Sequence, residues 1–332
     1  MIRLPSFHYF APQTLAEAAR MLADAGPGAM PVSGGTDLYP NMKRKQVTPP
    51  VVVGLRGIRE MNDVRKLSDG SLSIGAGVTL THLAAHPLVR EFCPAMGDTA
   101  LLIASPFLRN MGTLGGNLCL DTRCHFLNQS PFWREALGYC MKAEGDICRV
   151  APSSPRCLAI TSADLPPLLI ALGATVRLVG ANGERTLPLA DLYQDDGIHY
   201  LHRAPDEVVA EVTIPPLDGT RATYIKLRRR GTFDFPALGV AAALRLEPDG
   251  QCAAASIVLG AVTSRPIVVA EAQTLVGSKV TDESIAALAG EITRRARPLH
   301  LADYTLSYRK QMVAVYVTRA LKQLASEGGP VG

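Results

Sequence analysis

Cysteine is concentrated in one segment of this chain. Of the seven cysteines in 332 residues, all but two lie between positions 119 and 157, directly after the glycine-rich turn Gly115-Gly116-Asn117. Thiolates are soft ligands for zinc and for iron–sulfur clusters. The segment must therefore fold around a metal centre or around buried free thiols, beside the turn. Its members are Cys119, Cys124, Cys140, Cys148 and Cys157.

The composition is typical of a globular chain. It is 47% hydrophobic with a net charge of +4, so it can bury the cores of two or three domains. The positive charges are not interleaved with aromatic residues, and the apolar runs are too short to span a bilayer. We therefore expect no nucleic acid and no membrane among its partners. Because the first residues lack the apolar region of a secretory signal, we expect a cytoplasmic protein without disulfides.

The hydrophobic pattern predicts mixed helices and strands with a boundary at Pro215-Pro216. Thr14 and Glu17 form a capping-box sequence, which predicts a helix to about Ala25. Short apolar runs predict strands over 29–32, 51–53, 72–76, 175–178 and 208–214, with helices from 79, over 95–104 and over 165–172. Beyond the boundary, we expect a small antiparallel sheet over 222–228, 237–246 and 253–259, then helices over 282–297 and 304–325.

Two glycine turns are candidates for binding phosphate. Glycine lets the backbone approach a ligand closely, and exposed N–H groups can cradle the anion. Each turn could instead be purely structural, and neither matches the P-loop or the Rossmann fingerprint. Together they suit a dinucleotide whose diphosphate is held from two sides. The candidates are Val32, Ser33, Gly34, Gly35, Thr36, Asp37 and Leu38 in the first turn, and Thr113, Gly115, Gly116 and Asn117 in the second.

The cysteine spacing favours an iron–sulfur cluster. From Cys124 onward it is Cys-x15-Cys-x7-Cys-x8-Cys, whereas structural zinc usually uses two short pairs, of which only Cys119 and Cys124 resemble one. A folded loop can bring four distant thiolates to a cluster. Zinc and ordinary thiols remain alternatives.

Other residues of the segment are expected to support such a centre. Arg123, Arg149 and Arg156 would offset the negative charge of a cluster, and the aromatic residues, among them Phe132 and Trp133, would pack into a local core. No nucleophile–base pair is recognisable, so we expect no catalytic residue in this chain.

Three motifs together resemble the FAD-binding medium subunits of the xanthine oxidase/carbon monoxide dehydrogenase family of molybdenum hydroxylases. They are Val32–Leu38, Arg109–Leu118 and Ser162–Pro167, and the likeness extends over essentially the whole chain. The cysteine segment separates the last two and is an insert in this pattern. The insert is similar to that of the β subunit of 4-hydroxybenzoyl-CoA reductase, which carries a [4Fe–4S] cluster. A periplasmic aldehyde oxidase flavin subunit also has a cluster-bearing insert, with a less similar cysteine spacing.

The resemblance implies an α+β fold in two domains. A PCMH-type FAD-binding domain would occupy residues 1–216, with subdomains of about 1–58 and 59–216 and the iron–sulfur insert at about 119–160. A C-terminal domain of the CO dehydrogenase flavoprotein type, a small antiparallel sheet with helices, would occupy 217–332.

The resemblance also implies roles for individual residues. The stretch from Val32 to Leu38, with Gly112 added to the second turn, would hold the FAD diphosphate. Asp164 would bind near the ribityl or flavin end, and Lys226 near the isoalloxazine. Ser33 stands where the family usually has alanine. The cluster ligands would be Cys124, Cys140, Cys148 and Cys157, which leaves Cys119 as a spare thiol.

The function implied is electron transfer within a larger complex. Partner subunits would carry the molybdopterin and [2Fe–2S] centres, and a ferredoxin-like protein would exchange electrons with the cluster. The nearest resemblance implies the reductive dehydroxylation of 4-hydroxybenzoyl-CoA in aromatic degradation. The alternatives are the flavin subunit of an oxidative hydroxylase acting on an aldehyde or N-heterocycle, and a zinc-stapled binding module without enzymatic activity.

Overall fold

A computed structural model describes residues 3–231, 233–299 and 304–326. These residues form three sheets. Helices pack on each sheet, and the predicted α+β class is confirmed. None of the helices within these ranges combines the length and apolar character that crossing a bilayer requires. The predicted domain limits at residues 1 and 332 lie outside the described residues.

The first sheet is small and parallel, in the order β1-β3-β2. Parallel neighbours need crossover connections, which two helices provide. Thr14 Oγ1 accepts from the N–H of Glu17 at 3.2 Å, but the Glu17 carboxylate accepts from Gln13 N–H at 2.7 Å, so only half of the predicted capping box forms. The elements are β1 (His8–Phe10), α1 (Leu15–Ala25), β2 (Ala29–Val32), α2 (Leu38–Lys43) and β3 (Val51–Gly54).

The second sheet has five antiparallel strands in the order β4-β5-β8-β6-β7. Its helices fall between β5 and β6, where Pro87 and Pro94 each begin a new short helix, because proline suits the first helical position. The elements are β4 (Val64–Lys66), β5 (Leu72–Gly75), α3 (Leu80–Ala85), α4 (Pro87–Phe92), α5 (Pro94–Leu101), α6 (Pro106–Arg109), α7 (Leu114–Leu118), α8 (Pro131–Ala136), α9 (Leu165–Ala171), β6 (Thr175–Gly180), β7 (Gly183–Pro188) and β8 (Val208–Ile214).

The third sheet forms the C-terminal domain, in the antiparallel order β12-β11-β10-β9. Two long helices cover one of its faces. The elements are β9 (Arg221–Leu227), β10 (Leu238–Leu246), β11 (Cys252–Gly260), β12 (Ile267–Val268), α10 (Asp282–Arg295) and α11 (Leu306–Ser326).

The other face of this sheet packs on the N-terminal domain through α9, all of whose residues are buried. Along β10, Val240 and Ala242 belong to the core under the C-terminal helices, while Ala241 and Ala243 belong to the N-terminal core, as the two-residue period of a strand requires. Gly260 permits this close approach, since a Cβ there would lie 2.7 Å from Pro167 Cγ. The packing brings β9 beside the start of α9.

Candidate functional site

The two glycine turns touch each other. The first follows β2, and the second begins at Gly112 and continues into α7, which contains its last residues. A Cβ added at Gly34 would lie 1.9 Å from the carbonyl oxygen of Met111 and 2.9 Å from Gly112 N. Only glycine therefore fits at position 34. Gly35 takes φ +69°, in the left-handed region that favours glycine.

A cavity of about 620 Å³ opens beside this contact, and residues from the parts of the chain that form all three sheets line it. We call it the glycine-walled pocket, and its size is that of a cofactor site. Gly115, which the sequence predicted as a contact, lies behind the wall, where its N–H donates to Ala76 O at 2.8 Å. The other predicted residues line the pocket: Val32, Ser33, Gly34, Gly35, Thr36, Asp37, Leu38, Gly112, Thr113, Gly116, Asn117, Asp164 and Lys226.

Local hydrogen bonds fix the second turn. Thr113 Oγ1 accepts from Gly116 N–H at 3.1 Å and so caps α7. Asn117 Oδ1 accepts from the N–H of Leu165 at 3.2 Å, which joins this turn to the start of α9. The side chains of the turn therefore hold its shape. The N–H groups of Gly112 and Asn117 also donate within the protein, to Leu108 O at 2.7 Å and to Thr113 O at 2.9 Å.

Asp37 carries a negative charge into the pocket wall, where it forms an ion pair with Arg123. Burial raises the pKa of Asp37, and the Arg123 guanidinium opposes that rise. Arg123 also stacks on the ring of Phe235, 3.9 Å from its centroid. The sequence predicted Arg123 as a counter-charge for a cluster, whereas the structure pairs it with the first glycine turn.

Two buried polar atoms in the pocket wall lack a hydrogen-bond partner among the described residues, Arg123 Nε and Ser162 Oγ. Buried polar groups are nearly always satisfied in folded proteins. These two therefore fit a polar ligand in the pocket, and the guanidinium suits an anionic one.

The far end of the pocket holds a buried ion pair. Lys226 Nζ lies 3.0 Å from Asp164 Oδ2, and the two side chains are 2% and 4% exposed. Tyr224 OH donates to Asp164 Oδ1 at 2.8 Å, and Lys226 Nζ also donates to Leu102 O at 3.2 Å. Burial raises the pKa of Asp164 and lowers that of Lys226, and their mutual attraction opposes both shifts.

Replacing Lys226 by methionine is expected to lower the free energy of unfolding by about 3–5 kcal/mol, because the Asp164 carboxylate would stay buried without its cation. The measurement is urea unfolding of the flavin-free chain. Lys322→Met is the matched control: its ion pair with Asp282 is 50% and 73% exposed, and we expect a loss of about 0–1 kcal/mol. Equal losses in the two variants would contradict the buried-pair assignment.

The cysteine segment is a loop closed at its base. Arg123 and Ile160 exchange two backbone hydrogen bonds of 2.8 Å, so the loop leaves and re-enters the domain at one point. The buried Arg134 donates to Lys45 O at 2.9 Å and anchors the loop on the first subdomain.

Four cysteines of this loop line one small enclosed cavity, which we call the four-thiol cavity. The cavity has a volume of about 10 Å³. No three His, Cys, Asp or Glu residues within the described ranges are grouped tightly enough to hold a single metal ion. Cys119 lines the glycine-walled pocket instead. All seven cysteines are free of disulfides. The four are Cys124, Cys140, Cys148 and Cys157.

Backbone hydrogen bonds to the carbonyl groups of these four cysteines fix their positions. The carbonyls of Cys124, Cys140 and Cys148 accept hydrogen bonds of 2.8 to 3.1 Å from N–H groups three to five residues later, which makes each the first residue of a turn. Cys157 O accepts from Gly197 N–H at 2.9 Å. Burial raises the pKa of Cys157 to about 11, so its thiol is protonated in the free chain.

Two predictions about the loop need correction. Phe132 and Trp133 are 77% and 51% exposed and form no local core. They lie on α8, whose anchor is the buried Arg134 instead. Arg156 is paired with Asp195, and Arg149, which does line the four-thiol cavity, donates to Tyr139 O. The cation that reaches both cavities is Lys142, which the sequence did not single out.

Two family models match successive parts of the chain. Residues 5–217 match the family described as "FAD binding domain in molybdopterin dehydrogenase", and residues 222–324 match the "CO dehydrogenase flavoprotein C-terminal domain". The FAD-binding subunit of aldehyde oxidoreductase PaoB from Escherichia coli is 32% identical over 315 residues, which are 92% of this chain and 97% of that subunit. The carbon monoxide dehydrogenase medium chain of Afipia carboxidovorans is 30% identical over 323 residues, 96% of each chain.

A solved structure has the same fold. It is a carbon monoxide dehydrogenase from Hydrogenophaga pseudoflava, with a TM-score of 0.81, 26% identity, and coverage of 97% of this chain and 98% of that one. The chain therefore belongs to the FAD-binding medium subunits of the molybdopterin dehydrogenase family, and it is an oxidoreductase component.

Proposed function

We propose that this chain binds one [4Fe–4S] cluster beside its FAD and serves as the electron-transfer subunit of a molybdenum-containing oxidoreductase complex. The observation that carries the proposal is that four cysteines, three of them buried and Cys124 partly exposed, line one cavity, which shares a lining residue, Lys142, with the glycine-walled pocket. Four cysteine thiolates are the usual ligand set of such a cluster.

The residues for FAD follow from the pocket. The turn from Val32 to Leu38 would hold the diphosphate with backbone N–H groups. Gly112, Thr113, Gly116 and Asn117 would form the adjoining wall of the site. Asp164 and Lys226 would lie toward the flavin, where a buried, paired lysine presents a fixed charge.

The cluster would be held by Cys124, Cys140, Cys148 and Cys157, and Cys119 would remain a thiol. When bound, FAD exchanges one or two electrons and the cluster exchanges single electrons. Arg149 lines the cavity together with Lys142, and both offset the negative charge of four thiolates. Cys140, Cys148 and Cys157 are buried, whereas Cys124 is partly exposed.

The proposed partners are a large molybdopterin-binding subunit, a small [2Fe–2S] subunit and a ferredoxin-like carrier. The substrate site would lie on the large subunit, and no catalytic residue is assigned to this chain. Oxidation of an aldehyde is the first candidate for the substrate chemistry, because the aldehyde oxidoreductase subunit is 32% identical to this chain over 315 residues. Reductive dehydroxylation of 4-hydroxybenzoyl-CoA is the second candidate, and it rests on the cysteine spacing of the insert.

The two activities are distinguished with the complex that co-purifies with the tagged chain. Aldehyde oxidation should reduce an artificial acceptor such as ferricyanide, whereas the reductive activity should consume 4-hydroxybenzoyl-CoA only when a low-potential donor is supplied. Purification of the chain without a molybdenum-containing partner would contradict the proposed complex.

A further inference from the structure

Lys142 holds a positive charge between the two cavities. Lys142 lines both the glycine-walled pocket and the four-thiol cavity, and its side chain is only 10% exposed. Its Nζ donates to Asp121 Oδ1 at 2.6 Å and to Gly197 O at 2.7 Å, and lies 5.5 Å from the ring centre of Tyr200. These contacts fix the ammonium in one place.

Three segments that are distant in sequence build this position. Lys142 comes from the loop, Asp121 from the chain just before it, and Gly197 from the connection between β7 and β8. Gly197 also donates to Cys157 O, and a Cβ there would lie 2.7 Å from Cys157 Sγ. Gly197 therefore contacts both the Lys142 ammonium and Cys157, which lines the four-thiol cavity.

The charges around the two cavities differ. Lys142 and Arg149 are the charged side chains among the described residues that line the four-thiol cavity, and no carboxylate joins them. Asp121 lines the glycine-walled pocket only, and its side chain is 30% exposed. The carboxylate of the ion pair therefore lines only the glycine-walled pocket, whereas Lys142 lines both cavities.

We propose that Lys142 raises the reduction potential of the cluster. This inference rests on the proposed cluster. Reduction adds negative charge, and a fixed cation in a poorly solvated site stabilises the reduced form. Asp121 limits the effect, because its carboxylate partly neutralises the same ammonium.

The test is a redox titration of the anaerobically purified full-length protein, followed by electron paramagnetic resonance. Lys142→Gln is expected to lower the reduced-to-oxidised ratio of the cluster at fixed potential about tenfold, a shift of about 59 mV for a one-electron couple. Lys142→Arg should stay near wild type. Asp121→Asn should shift the cluster potential in the opposite direction, because the cation would lose its partner. Lys279→Gln, at an exposed position in the C-terminal domain, is the charge-matched control.

The outcomes separate this inference from the proposed function. Wild-type protein without iron would overturn the cluster and the inference together. Iron-containing variants whose potentials all equal that of wild type would overturn the role of Lys142 and leave the cluster standing. If Lys142→Gln fails to retain iron, the cluster potential of Asp121→Asn decides. A potential equal to that of wild type overturns the inference, and a higher potential supports it.

Discussion

Replacing Gly34 by alanine is expected to weaken FAD binding about ten- to hundredfold. The new methyl carbon would be placed 1.9 Å from Met111 O and 2.5 Å from its carbonyl carbon, and both are backbone atoms that cannot rotate away. Overpacking of this kind costs about 1–3 kcal/mol. The two glycine turns would have to separate, and the surface they offer to the diphosphate would change. The measurement is the affinity of the flavin-free chain for FAD, from quenching of flavin fluorescence.

The matched control is Gly290→Ala. Gly290 lies within α10, and a Cβ there would meet nothing within 4 Å. We expect unchanged FAD affinity and up to about 1 kcal/mol of added stability, since alanine is the better helix former. Wild-type FAD affinity in Gly34→Ala would contradict the assignment of the glycine-walled pocket to the cofactor.

Replacing Cys148 by alanine is expected to remove the iron and leave the flavin in place. Cys148 is buried, and its thiol faces the four-thiol cavity with three others. A cubane held by four cysteines loses a ligand, and about four iron atoms per flavin would be lost. The glycine-walled pocket is not lined by Cys148, so FAD affinity should stay within about twofold of wild type. Iron and flavin assays on one anaerobic sample measure both.

Cys119→Ala is the control from the same segment. Its thiol lines the glycine-walled pocket and not the four-thiol cavity, so the iron content should equal that of wild type. A protein that loses iron when Cys119 is replaced, and keeps it when Cys148 is replaced, would show that the ligand set is wrongly assigned.

Features that depend on local chemistry could be predicted from the sequence. The strands and helices follow apolar periodicity. The two glycine turns predict a close approach of the backbone, as the contact of Gly34 with Met111 illustrates. The cysteine spacing alone does not show that Cys119 is excluded from the ligand set. That assignment came only from the family resemblance. Proximity in the chain does not decide which cavity a thiol faces: Cys119 and Cys124 stand five positions apart and line different cavities.

Features that depend on long-range contacts could not be predicted. The pair of Arg123 with Asp37, the bond of Tyr224 to Asp164 and the position of Lys142 beside Gly197 each join segments that are 55 or more residues apart. The sequence around such a lysine or tyrosine does not indicate which distant residue its side chain contacts. The prediction that Trp133 packs into a local core is wrong for a related reason. Aromatic residues form a core only where a neighbouring surface covers them, and Trp133 is exposed.

The central claim, that one chain carries both FAD and a [4Fe–4S] cluster, is tested most directly by the iron, acid-labile sulfide and flavin content of the anaerobically purified chain, separated from its partners. We predict about four iron and four sulfide per flavin, with a broad visible absorption under the flavin bands. Flavin without iron, or with a single zinc, would contradict the cluster and leave a flavoprotein with a structural loop. A sample without flavin or iron would contradict both cofactor sites.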